Sequence, residues 1–292
     1  MAGSAMFVND EKKAIIRNWH LKFLQKISVP HEDATVDTTF GKTHALIAGP
    51  PDAPPLVLLH GALASSAHVL PEVAPLLATR RVYAIDGIGQ SAMSQDRRIE
   101  LKDDSYGRWL VEATAALGLE EYDLYGVSWG GFVALRSTIA APQRVKHLVL
   151  LVPAGWVGNS FWAGMRDGGW PLLKYKVLPS PKHFEQVLKS QFTTLDAGWS
   201  AYFNDALQSY RLDMRVPPIV KEEEVSVVKC PTLVFAAEKD ASFPGKALLA
   251  RVKKLLPHAE VELLEGARHC PQLTPEFRTY MAQRIEKFLT VN

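Results

Sequence analysis

Cysteine is nearly absent from this chain. Its 292 residues include two, Cys230 and Cys270. So few thiols exclude a disulfide-stapled scaffold and fit free thiols in a reducing compartment. An excess of charge is lacking too. The 33 Lys and Arg residues face 31 Asp and Glu, leaving a net charge of +2, too little to argue for a nucleic-acid partner. No apolar run approaches the length of a membrane span. The first residues lack the basic start and long apolar core of a secretory signal. Neither His-Glu-x-x-His, nor paired Cys-x-x-Cys, nor a phosphate loop ending in Gly-Lys-Ser/Thr occurs. The expectation is a cytoplasmic protein with no metal, no cofactor, no nucleic-acid partner and no membrane span. Oligomeric state is left open.

What is present is alternation. Short apolar runs at 55–60, 81–86, 122–127, 145–152, 231–237 and 259–265 read as strands. Helical patterns fill 65–78, 104–117, 129–141, 245–256 and 274–289 between and after them. Such alternation predicts an α/β fold with a mostly parallel central sheet covered by helices on both faces. Before it come a helix over 11–26 and a hairpin of two strands around Gly41. The alternation breaks after Ala154 and resumes near Glu224. About seventy residues without a strand pattern are too many for a loop. This stretch carries four of the seven tryptophans, Trp156, Trp162, Trp170 and Trp199. It predicts a helical insertion over the sheet's active edge, residues 155–224, with the core formed by 1–154 and 225–292.

Three glycines crowd one serine in "DLYGVSWGGFVAL", Asp123 to Leu135. Gly-x-Ser-x-Gly between a strand and a helix is the sharp turn that lifts a serine hydroxyl above a sheet edge. An ordinary strand-helix turn would also use glycine, but the strand before and the small-residue helix after fit the chemical reading. A serine hydroxyl needs a base to take its proton. Of nine histidines, His269 lies just past a late strand in "EGARHCPQ", on the same edge as Ser128. Most of the others lie in the amino-terminal region, in strands, in the insertion or at a helix end. The imidazole needs an acceptor for its second nitrogen. Glu238 and Asp240 both follow the strand "PTLVFAA" and compete for that role. In "LLHGALASS" the backbone N–H of Ala62 would pair with that of Trp129 as an oxyanion hole. His60 would fix this loop by hydrogen bonds.

The segments "LVLLHGA", "VYAIDGIGQS", "LYGVSWGGFVALR", "LVFAAEKDASFP" and "EGARHC", in this order, resemble the motifs of the α/β-hydrolase superfamily. The likeness is to its carboxylesterase-like serine hydrolases. It spans nearly all the chain except the insertion, which stands where that superfamily carries a helical cap. The resemblance implies Ser128 as nucleophile, Asp240 as acid and His269 as base, with Ala62 and Trp129 N–H groups holding the oxyanion. It implies a cleaved carboxylic ester, an acyl-enzyme and no cofactor. Three places depart from the pattern: Ile88 stands where proline is usual, Ala237 where glycine is usual, and the acidic residue beyond the base is displaced to Glu276.

The aromatic insertion predicts an apolar small-molecule substrate, with Leu63, Trp156, Phe161, Trp162 and Trp170 as pocket candidates. The alternative is that these aromatics form the insertion's own core. Serine at the elbow argues against the relatives that use a carboxylate there. Proline iminopeptidases share Ser-Trp-Gly, but their usual His-Gly-Gly-Pro-Gly loop reads His60-Gly61-Ala62-Leu63-Ala64 here. Lactone, thioester and carbon–carbon bond substrates, and a ligand receptor with little turnover, stay open at this point.

Overall fold

The computed structural model describes residues 6–158, 169–211, 213 and 215–291. Among them, eight strands form one sheet in the order β1-β2-β4-β3-β5-β6-β7-β8. The strands are β1 His31–Thr38, β2 Gly41–Ala48, β3 Pro55–Leu59, β4 Arg81–Ile85, β5 Tyr122–Val127, β6 Val145–Leu151, β7 Thr232–Ala237 and β8 Glu260–Leu264. Strand β2 runs antiparallel to both neighbours. Every pairing from β4 through β8 is parallel. The chain moves outward from β3 to β4 on one side, then crosses back to β5 on the other. That reversal opens a crevice at the carboxyl ends of β3 and β5, where α/β sheets bind ligands.

The helices that frame the sheet and the site are α1 Asp10–Leu24, α2 Ser66–Val69, α3 Ser105–Ala116, α4 Trp129–Ala140, α5 Trp170–Val177, α6 Pro181–Gln191, α7 Ala197–Ser209, α8 Gly245–Leu255 and α9 Pro275–Val291. A kinked 3₁₀ helix, Leu70–Ala78, continues α2, and Pro75 inside it helps explain why the α-helix does not persist.

Side chains alternate along each strand, so the sheet feeds two separate apolar layers. Leu56 and Leu58 join α1, the 3₁₀ helix and α9 on one face. Val57 and Leu59 join α3, α4 and α8 on the other. No helix among the described residues is long and apolar enough to cross a membrane.

Helices α5, α6 and α7 stand between β6 and β7 in the chain, where the alternation breaks. Their aromatics do not all face a pocket. Trp156 has no exposed surface and packs in the layer shared by α4 and α8. It comes five residues after the end of β6, and the chain is still inside the sheet's own apolar layer when it passes this residue. Trp170, at the start of α5, is 52% exposed. The expectation that these two tryptophans line the pocket is corrected on both counts. Phe161 and Trp162 lie outside the described residues. Trp156→Ala is therefore expected to cost about 3–5 kcal/mol of stability, as for other buried aromatics. Urea denaturation measures the loss. A variant of unchanged stability would show that Trp156 is not core.

Candidate active site

The turn after β5 is set by close packing. Ser128 has φ 52 and ψ −111, a strained backbone for a residue with a side chain. It is tied on both sides of its plane. Its N–H donates to the Leu151 carbonyl at 2.8 Å, and its carbonyl accepts from Ala154 N–H at 3.0 Å. The glycines around it permit the contacts. A Cβ on Gly126 would meet the Gly130 carbonyl oxygen at 2.5 Å, and one on Gly130 would meet the Leu59 oxygen at 2.5 Å. The elbow thus lies directly against the end of β3. Helix α4 begins immediately after Ser128, so its first N–H groups lack partners within the helix.

Ser128 Oγ lies 2.9 Å from His269 Nε2. His269 Nδ1 lies 2.8 Å from an Asp240 carboxylate oxygen. Asp240 also accepts from the N–H groups of Ser242 and Phe243, at 2.7 and 3.0 Å, which fixes its plane. The Asp240 side chain has no exposed surface, while that of His269 is 15% exposed. Burial works against a charged His269 ring. The Asp240 charge and hydrogen bond outweigh it, and the pKa is raised. Glu238, the rival acid, turns instead to the Gly266 N–H at 3.0 Å. The loop holding His269 is secured from an unexpected side. Thr193, just beyond α6, accepts from Arg268 N–H through its hydroxyl oxygen, and its own N–H and hydroxyl donate to the Cys270 carbonyl. Cys270 N–H donates to Gln191, and Leu273 N–H to the Thr194 hydroxyl.

Opposite the elbow is the loop after β3. A Cβ on Gly61 would stand 3.5 Å from the Ser128 Cβ, so this loop flanks the hydroxyl. His60 is buried and braces it. Its Nε2 accepts from Gly87 N–H at 2.8 Å, leaving Nδ1–H to donate to the Gly61 carbonyl at 2.7 Å. Burial lowers its pKa, so it stays neutral and is spent on these two bonds. Leu63 carries φ 58, and its carbonyl accepts from the Tyr202 hydroxyl of α7.

Below the loop lies a buried polar cluster. Asp86 accepts from Ser66 N–H and hydroxyl at 3.0 and 2.6 Å, and meets His44 Nδ1 at 2.7 Å. Burial raises the Asp86 pKa, but hydrogen bonding and charge from His44 reverse this and hold it well below the usual carboxylate range. The anion anchors the start of α2.

A cavity of about 480 Å³ opens on this arrangement. Ser128, His269, Ala62, Trp129 and Leu63 all border it. Trp156 and Trp170 do not. Its walls also include Phe192, Trp199, Phe203 and Phe243, none of them among the pocket candidates named from the sequence. Their spacing is that of ordinary core aromatics, so nothing in the pattern distinguishes them. Cys270 borders the cavity as well. Burial pushes its thiol up to about 12, and both cysteines are free.

An eight-stranded, mostly parallel sheet bearing Gly-x-Ser-x-Gly after its fifth strand, with Ser128, His269 and Asp240 in hydrogen-bonded line, defines a class. The chain belongs to the alpha/beta hydrolase family, whose model matches residues 56–278. Within it, the chain is 30% identical over 263 residues to the carboxylesterase YbfK of Bacillus subtilis, covering 87% of this chain and 86% of that one. It is 27% identical over 262 residues to the uncharacterized carboxylesterase nap of the same organism, covering 87% and 85%. The crystal structure of naproxen esterase from Bacillus subtilis superposes with a TM-score of 0.81 at 25% identity, covering 95% of this chain and 98% of that one.

The elbow's packing makes a direct prediction. Gly130→Ala places a methyl group against the Leu59 and His60 carbonyls and is expected to cost about 1–3 kcal/mol, as overpacking does. The melting temperature should fall and Ser128 should lose its alignment with His269. A Gly130→Ala variant of full stability and full labelling by a fluorophosphonate would contradict the packing argument.

Proposed function

We propose that this chain is a carboxylic ester hydrolase working through an acyl-enzyme on Ser128. The observation that carries the reading is the unbroken line from Ser128 through His269 to the buried Asp240, opening on an apolar cavity. The carboxylesterases among its relatives support it. Ser128 Oγ attacks the ester carbonyl carbon while His269 Nε2 takes its proton. The N–H groups of Ala62 and Trp129 hold the oxyanion. His269 then protonates the departing alcohol as the carbon–oxygen bond breaks. Water, deprotonated by His269, attacks the acyl-enzyme and releases the acid. Asp240 holds the ring's tautomer and stabilises the imidazolium. Residues 155–224 serve as a cap over the site, with 1–154 and 225–292 as the hydrolase core, and Leu63 belongs to the pocket wall.

Hydrolysis of p-nitrophenyl acetate tests the reading. Ser128→Ala is expected to lose on the order of four to six decades in turnover, and Asp240→Asn about four. Glu238→Gln should stay near the wild-type rate, because its carboxylate serves Gly266. A folded wild-type protein that neither turns over esters nor takes a fluorophosphonate label would end the proposal. A dead Glu238→Gln beside an active Asp240→Asn would move the acid.

The acid limb of kcat/KM gives a second test. His269 works as base only when neutral. Its raised pKa means protonation sets in at a higher pH than for an ordinary imidazole, so activity is lost early on acidification. The midpoint should lie above ~6.5. A wild-type limb centred at or below that value would contradict the Asp240 coupling.

A further inference from the structure

The cavity does not end at the sheet's edge. Part of its wall lies beneath it, within the apolar layer shared by the 3₁₀ helix and α9. Leu58 of β3 and Tyr125 of β5 supply the sheet side. Val73 and Leu76 of the 3₁₀ helix, with Met281 and Ile285 of α9, supply the other. None of these six is more than 6% exposed. All six belong to one hydrophobic cluster. Protein interiors are packed to crystal density, and voids larger than a water molecule are few. A void here that also reaches a nucleophile is a channel rather than a packing fault.

Its direction follows from the topology. Both helices leave the sheet's carboxyl edge and run toward the opposite edge. Later residues on each lie deeper. Ile285 is one helical turn below Met281, about 6 Å further in. Near the upper end, Arg278 of α9 and Glu72 of the 3₁₀ helix form a two-point ion pair at 2.8 and 3.0 Å. Both side chains border the cavity and both are about a quarter exposed. The pair ties the two helices together at the channel's upper end. Away from these two helices, the cavity wall also includes Arg98, Asp213 and Arg215, groups that a methylene chain does not match.

Building on the ester hydrolase reading, we propose that this channel receives an unbranched alkyl chain of the substrate. The chain runs from Ser128 down between the 3₁₀ helix and α9. The floor at Leu76 and Ile285 sets the longest chain accepted. Selectivity for chain length then resides in the hydrolase core, and not in the aromatic insertion.

The test fills the channel at two depths, with Met281→Trp and Ile285→Trp. Leu76→Phe, on the facing wall, stands in if Ile285→Trp does not fold. Two substrate series distinguish which half of the ester enters: p-nitrophenyl acetate, hexanoate and decanoate for the acyl side, and methyl, hexyl and decyl acetates for the alcohol side. In Ile285→Trp the decanoate-to-acetate ratio of kcat/KM, or the decyl-to-methyl ratio, should fall about 10- to 100-fold from wild type. In Met281→Trp the loss should extend to the six-carbon substrate. A change confined to one series assigns the channel to that half. Ratios unchanged in both series, with wild-type turnover present, overturn the channel. Wild type without turnover of any ester strikes the ester reading instead. The channel is then judged by decanoic acid, which should raise the melting temperature of wild type but not of Ile285→Trp; equal shifts overturn it.

Discussion

Everything at this site depends on how closely two backbone segments approach each other. Gly130, at the start of α4, sits where a side chain would strike the Leu59 and His60 carbonyls. With no atom there, the turn after β5 presses against the end of β3. The Ser128 hydroxyl and the Ala62 loop come from strands adjacent in the sheet but far apart in sequence. Their separation is set by backbone contact, which is far stiffer than a side-chain contact. The strain at Ser128 persists because the end of β6 holds its N–H and the segment just after β6 holds its carbonyl.

The other half of the site is held electrostatically. His269 stands on a loop, and loops are adjustable. Two devices restrain it, the bonds to Thr193 and Thr194 and the charge of Asp240. Asp240 is buried with its carboxylate fixed by two N–H groups, so its charge acts at a defined point. The same low-polarity surroundings that disfavour an imidazolium are outweighed by that one anion. A parallel arrangement supports the loop after β3. There Asp86 gathers Ser66 and His44, while His60 spends both nitrogens on backbone groups. Of His44, His60 and His269, only the last keeps a nitrogen directed at the elbow hydroxyl.

The centre of the sheet was legible in the sequence because β3 to β7 are predominantly apolar runs bounded by Gly, Pro or charge, a signal that owes nothing to distant contacts. Ser128 and His269 were legible as members of loops at one edge. The choice between Glu238 and Asp240 was not, from spacing alone, since both follow the same strand; the structure separates them by what else each carboxylate binds. The insertion resisted reading for a different reason. Aromatics on short helices satisfy a core and a cavity equally well, and Trp156, five residues past the end of β6, went to the core. The channel was invisible altogether. Met281 and Ile285 sit on the inward face of α9, and a pattern of inward residues is the same whether the space before them is filled or empty. Thr193 carried no signal either, because its role arises from where α6 happens to end.

That small hydroxyl residue bears on how such proteins diversify. Residues 191–194 and 268–273 are laced together by main-chain and hydroxyl bonds, so the insertion forms part of the scaffold under His269. It is therefore not an interchangeable cassette. A chimera that took its helices from a relative but kept this chain's own terminal loop would inherit mismatched stitching, and the imidazole would drift before any substrate arrived. Transplanting selectivity means moving both partners of the seam together, or leaving the seam intact and altering only what lies beyond it.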